Sequence, residues 1–139
     1  MRRALVWPTV VLVLVLPGCS RSPTRRVSGE VSYKGEPIKE GSIEFLPIEG
    51  TGGPSVGAPI KDGAYVIPAA KGPLADGTYT VKLVAMRNTG IIPPGRRRYA
   101  KAGPAMKAIL PEEYNYKSKL KVKIDPNANP NRLDFHLPK

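Results

Sequence analysis

From Val27 onward the chain alternates. Val27, Gly29, Val31 and Tyr33 are set against Ser28, Glu30, Ser32 and Lys34. Successive side chains of a strand point to opposite faces, so this period of two predicts a strand with one buried face. Gly35-Glu36-Pro37 predicts a turn. Ile43 and Phe45, set against Ser42 and Glu44, predict a second strand that Pro47 ends. Residues 49–59 are rich in Gly, Pro, Ser and Thr and predict a loop, with room for a short extended piece near its end. Asp62-Gly63 predicts a turn, 63–67 a short strand and 68–77 a connection. In 78–86, Tyr79, Val81, Leu83 and Ala85 share one face, and Val84 and Met86 make the far end of the other apolar, which predicts a central strand.

Residues 88–116 break the rhythm with Gly90, Pro93-Pro94-Gly95, Gly103-Pro104 and Pro111. Pro104 is expected to open a helical turn through Ala105 to Leu110, because proline is tolerated at a first helical position. Leu120, Val122 and Ile124 then alternate with Lys119, Lys121 and Lys123. Residues 125–131 read as a turn, and Leu133, Phe135 and Leu137 alternate with Arg132, Asp134 and His136. Six or seven short strands without a long helix predict an all-β, antiparallel sandwich carrying a long, partly irregular loop over 88–116. Turns at Gly35, Gly63 and Gly77 are expected to use positive φ, and Gly29, inside a strand, a bulge or a close backbone approach.

The first residues follow a different rule. Met1-Arg2-Arg3 is charged, and residues 4–16 are apolar apart from Pro8 and Thr9. The uninterrupted run, 10–16, is far shorter than the ~20 apolar residues a bilayer-crossing helix needs. A charged start, a short apolar centre and small residues at the end make a secretory signal peptide. Leu16-Pro17-Gly18-Cys19 resembles the lipobox of bacterial lipoproteins: Leu16, Gly18 and Cys19 match, while Pro17 stands where a small non-proline residue is usual. The resemblance implies cleavage between Gly18 and Cys19 and alkylation of the Cys19 thiolate by a lipid donor. Acylation of the new amino terminus, for example by palmitate, would follow. One acyl chain binds a membrane only marginally, so stable anchoring takes two or more. The plainer alternative is a cleaved signal with an incidental cysteine. Cys19 is the only cysteine, so no internal disulfide forms.

The expected organisation is therefore a lipoprotein signal peptide over 1–18, a lipidated tether over 19–26 and one β-sandwich domain over 27–139. Arg21, Arg25 and Arg26 in the tether are placed to meet anionic head groups or simply to stay solvated. The expected location is extracytoplasmic, on the periplasmic face or the outer membrane, with Ser20 resembling the residue after the anchor in lipoproteins sent to the outer membrane.

The domain carries a second resemblance. Val27-x-Gly29-x-Val31, Gly35-x-Pro37-Ile38 and Gly41-x-Ile43-x-Phe45 resemble the opening of carboxypeptidase regulatory-like domains. Gly63-x-Tyr65 and Gly77-x-Tyr79-x-Val81 resemble their later strand starts. Ile109-Leu110-Pro111-Glu112-Glu113-Tyr114-Asn115 and Leu133-Asp134-Phe135-x-Leu137 resemble small bacterial lipoproteins built on this domain. The resemblance implies a transthyretin-like seven-strand sandwich that is noncatalytic. Asp76-Gly77-Thr78-Tyr79 also resembles a tyrosine corner, in which a Tyr hydroxyl bonds back to nearby backbone; a plain buried Tyr is the alternative.

The formal charge is +11, and the first 18 residues hold two arginines and no acid, leaving +9 on the remainder. A basic chain often binds nucleic acid, but an exported and anchored one does not meet it. The available anions are lipid head groups, acidic glycans and envelope proteins. Arg96, Arg97 and Arg98 with Lys101 form the densest positive cluster, suited to bidentate guanidinium bonds with phosphate or carboxylate. The alternative is a solvated loop balanced by Glu112 and Glu113. Lys119, Lys121 and Lys123 suit an anion or guard an edge strand. Tyr99, Tyr114 and Tyr116 suit a binding platform or the packing of the loop onto the sandwich.

Catalytic candidates are sparse. His136 is the sole histidine and falls on a polar face, which excludes paired-histidine iron sites and the several-histidine hydrolases of transthyretin-like fold. No Cys/His spacing suits zinc, and the span from Asp62 to Asp76 is unlike a calcium loop. The serines have no candidate base. No cofactor, metal or catalytic residue is expected. The reading is an envelope binding or structural module, with two alternatives: a small-ligand carrier or enzyme with its site under loop 88–116, and an anion binder acting through the Arg96–Lys101 cluster.

Overall fold

The computed structural model describes residues 23–91 and 105–138. Gly18 and Cys19, and the cluster of Arg96, Arg97, Arg98 and Lys101, lie outside the described residues. Among the described residues there are ten strands: β1 Val27–Tyr33, β2 Glu36–Pro37, β3 Glu40–Ile48, β4 Val56–Lys61, β5 Ala64–Ile67, β6 Thr78–Asn88, β7 Met106–Ala108, β8 Lys121–Lys123, β9 Asn131–Arg132 and β10 Phe135–Leu137. Single 3-10 turns span Ala69–Lys71 and Glu112–Tyr114. Among the described residues there is no α-helix, so none is long and apolar enough to cross a membrane.

The fold is all-β, a curled sheet of seven strands in the order β10-β1-β5-β4-β3-β6-β7, with β2 and β9 added to β1 and β8 to β6. Only one residue pair, Lys61 with Ala64, joins β4 to β5. The sheet folds over at that hairpin into two leaves, β9/β10-β1-β5 and β4-β3-β6-β8/β7, that face each other across one core. Alternation fills it. Val27, Val31, Tyr65, Ile67, Phe135 and Leu137 come from the first leaf, and Ile43, Phe45, Ile60, Tyr79, Val81 and Leu83 from the second. The Phe45 ring of β3 meets the Tyr65 ring of β5 at 6.3 Å between centroids, which ties the leaves together.

Pairing is antiparallel except at the C-terminal end, where β9 and β10 run parallel to β1. The cause is a change of leaf. β8 lies antiparallel to β6, and residues 124–130 carry the chain across to the free edge of β1. The last strands must then run back in the direction that β1 itself takes. At Gly29 this edge comes so close that a β-carbon would lie 1.9 Å from the Leu133 carbonyl oxygen, so the glycine permits a close backbone approach.

Several expectations need correction. Pro47 does not end β3, which continues to Ile48. Pairing with β4 stops at Phe45, so Pro47 sits where only one edge remains paired, and proline is tolerated there. The short extended piece expected near the end of 49–59 is present as residues 56–59 and continues to Lys61 as β4; Pro59 is accommodated because, apart from Lys61, that strand pairs on one side only. The expected helical turn over 105–110 is instead strand β7, because Met106–Ala108 pairs with Met86–Asn88. Gly77 does not have positive φ; its role is space, since a β-carbon there would lie 2.8 Å from the Tyr79 ring. Positive φ is used at Lys34-Gly35 and Asp62-Gly63, which form tight hairpin turns. Met86 is 39 % exposed, so the outer face of β6 is covered only in part.

Candidate functional site

The two ends of the sandwich differ, and the difference locates the candidate site. β6 has eleven residues and is about 33 Å long at a strand's rise of ~3.3 Å per residue. It begins at Thr78 beside the N-terminal segment and ends at Asn88.

The N-terminal segment was expected to be part of a tether, but from Pro23 it is laid onto the domain. Thr24 bridges Leu74, the Arg25 N–H donates to the Pro73 carbonyl at 2.8 Å, and the Ala75 N–H donates to the Pro23 carbonyl at 2.9 Å. The Arg25 guanidinium donates to the Pro126 carbonyl through Nε at 3.0 Å and Nη2 at 2.6 Å. The Asn131 N–H donates to the Arg26 carbonyl at 2.8 Å. The segment is thus an N-terminal extension of β1, held by partners that only the folded chain supplies.

At the same end, the Tyr79 hydroxyl accepts a hydrogen bond from the Leu74 N–H at 2.8 Å, the geometry of a tyrosine corner. Asn131, 4 % exposed, accepts from the Asp125 N–H and donates to the Asp125 and Ala128 carbonyls. Its side chain holds the whole 125–130 connection. Nothing in the alternation pattern distinguishes this Asn from the other turn residues.

At the far end, β6 and β7 leave the body as a two-stranded ribbon. The Thr89 N–H donates to the Ala105 carbonyl at 3.0 Å, and the Ala105 N–H to the Ile91 carbonyl at 2.9 Å. Residues 92–104, with the predicted arginine cluster, are therefore flanked by residues of this end. Between the ribbon and the hairpins of β1–β2 and β4–β5 lies an open groove of about 1020 Å³, lined by Tyr33, Ile38, Lys39, Lys61, Arg87 and Ile109 among others. A cleft of about 480 Å³ continues it, lined by Tyr33, Lys34, Glu36, Arg87, Thr89, Lys107, Ala108 and Ile109. Arg87 and Lys107 stand directly opposite each other in the β6–β7 register. The Lys34 Nζ lies 5.2 Å from the centroid of the Tyr33 ring.

The other predicted features fall elsewhere. Among the described residues β8 pairs only with β6, so there its lysines lie on a strand paired along one edge. Lys121 reaches Glu49 at 2.7 Å and Lys123 reaches Asp76 at 3.0 Å. Glu112 pairs with Lys117 at 2.7 Å, which holds its carboxyl below the usual range. Tyr114 packs the end of the loop against the core, while Tyr116 is exposed. Tyr99 lies outside the described residues.

His136 does face outward, but it is not alone. Its Nδ1 lies 2.8 Å from the Ser32 Oγ, because Ser32 and His136 are register partners on β1 and β10. This corrects the expectation that the serines have no candidate base, since His136 stands beside Ser32. The nearby Asp134 is otherwise engaged. It accepts from Arg132 Nε at 3.0 Å and from the Glu30 N–H at 2.8 Å, and these bonds depress its pKa. Arg132 also reaches Glu30 at 3.2 Å, so one guanidinium links two carboxylates on this outer face. The buried Tyr65 hydroxyl donates to the Leu133 carbonyl at 2.7 Å, and burial raises its pKa.

Among the described residues, no group of His, Cys, Asp and Glu is placed to hold a metal. What the far end offers chemically is a set of flexible cations, hydroxyls and one carboxylate around an open cleft. No protein-family model matches this chain, and no characterised protein or solved structure does so either.

Proposed function

We propose that the chain is a lipoprotein, anchored through Cys19 outside the cytoplasm, whose β-sandwich is a noncatalytic binding or structural module of the cell envelope. The observation that carries this reading is Leu16-Pro17-Gly18-Cys19 closing a charged-then-apolar leader, with Pro23 and Arg25 already hydrogen-bonded to the domain. Cys19 and Pro23 are four residues apart, so at ~3.3–3.6 Å per residue the body begins within about 14 Å of the lipid attachment. The order of strands and the tyrosine corner support a carboxypeptidase regulatory-like, transthyretin-like sandwich.

In this arrangement the far end, about 33 Å along β6, is the end that meets a partner, and an envelope protein or acidic glycan suits its cations. A small-ligand carrier or an enzyme with its site beneath 88–116 needs an enclosed pocket with a few converging polar groups. The far-end groove is open and rimmed by charges, which favours a surface-to-surface partner.

The reading is tested by metabolic labelling with palmitate and by membrane sedimentation of wild type and Cys19→Ala. Label on the wild type alone, with the variant released from the membrane fraction, is the expected result. An unlabelled wild type, or a variant that still sediments, removes the anchor from the proposal.

A further inference from the structure

We propose that the cleft between Lys34, Arg87 and Lys107 is an oxyanion site, taking a phosphate or carboxylate group carried by a partner at the far end. The inference rests on the cleft alone and stands whether or not Cys19 is lipidated.

Two observations point to it. The first is register. Arg87 and Lys107 are directly opposite on neighbouring strands, a placement in which like charges repel and opposite charges are the stabilising choice. The second is the shared cleft: Lys34, Arg87 and Lys107 line it together, with Glu36 the one carboxylate in its lining. The opposed pair thus borders a concave space of about 480 Å³ that also holds Tyr33 and Thr89. An oxyanion seated there neutralises the pair, and a guanidinium beside an ammonium supplies both a planar two-donor contact and a point charge.

The test uses the full 139-residue chain, 15N-labelled and held in a nonionic detergent. It is titrated with inorganic phosphate and, separately, with acetate, each against chloride at matched ionic strength. Saturable shifts of the Lys34, Arg87, Thr89 and Lys107 amides beyond those in chloride are expected. Shifts with phosphate alone assign a phosphoryl group, and shifts with both assign oxyanions in general. Arg87→Gln is expected to weaken the interaction at least five-fold. Lys107→Glu supplies the missing opposite charge, and is expected to abolish binding while raising the unfolding midpoint by roughly 1–6 °C. Shifts no larger than in chloride overturn the proposal, as does binding that survives both substitutions. A Lys107→Glu protein that is folded but no more stable than wild type shows that the two cations do not oppose each other, and overturns it as well.

Discussion

The end of the sandwich near Pro23 and the end near Asn88 are built by opposite means. The first is closed by backbone. Pro23–Arg26 exchanges hydrogen bonds with 73–75, Tyr79 returns a hydroxyl to Leu74, and the Asn131 side chain holds the 125–130 connection. The second is left open. Two strands extend beyond the core with Met86, Ile91 and Met106 exposed, cations face each other and a groove separates them from the hairpins. Where polar groups are satisfied internally, a surface gains stability and has little left for a partner. Where they are unsatisfied, stability is forgone and binding capacity remains.

That comparison can be broken at either end. The largest effect is expected from Asn131→Ala. It removes three side-chain hydrogen bonds of a residue that is 4 % exposed and strands their partners. A loss of about 2–4 kcal/mol by denaturant unfolding is expected; a loss below 1 kcal/mol would mean that the loop does not depend on it. Tyr79→Phe keeps the ring in the core and removes only the acceptor for the Leu74 N–H, so about 1–2 kcal/mol is expected from the same measurement. An unchanged midpoint would reduce the tyrosine corner to a packed ring. The smallest effect belongs to the open end. Arg87→Gln is expected to change stability by no more than ~0.5 kcal/mol, since an exposed residue is removed. A destabilisation of about 1 kcal/mol or more would show that the ribbon is held by Arg87 and would erase the contrast.

Much of the fold was legible because alternation is local. Val27 and Val31, Ile43 and Phe45, the odd-numbered face of 79–85, and Phe135 with Leu137 are all buried as the pattern requires. The turn at Asp62-Gly63 was equally legible, since Asp and Gly accept positive φ; the turn expected over Gly35-Glu36-Pro37 instead uses Lys34-Gly35, and Glu36 and Pro37 are strand β2 because they pair with Tyr33 and Ser32. The proline rules misled where context decides. A proline ends a strand only if its missing N–H faces a partner, and the sequence does not say which edge of 40–48 or 56–61 is paired. Residues 105–110 misled for a related reason: Met106–Ala108 has no strong strand pattern of its own and is a strand because β6 extends past the core to meet it.

The candidate site was less legible than the fold. Arg96, Arg97 and Arg98 announce themselves by adjacency, whereas Lys34, Arg87 and Lys107 are scattered single cations in sequence. No pattern marks Lys107 as the neighbour of Arg87, because a register is a property of two strands.

By itself the sequence determined which positions turn inward, for the most part where the chain reverses, and that a cysteine follows a short apolar run. These are consequences of side-chain direction, glycine's freedom and segment length, and each is decided within a few residues. Only the tertiary structure decided that β9 and β10 run parallel to β1, that Pro23–Arg26 belongs to the domain, and that two cations stand opposed at the far end. Those depend on which leaf the chain returns to and which backbone groups remain unpaired there, a choice made by distant segments competing for the same edges.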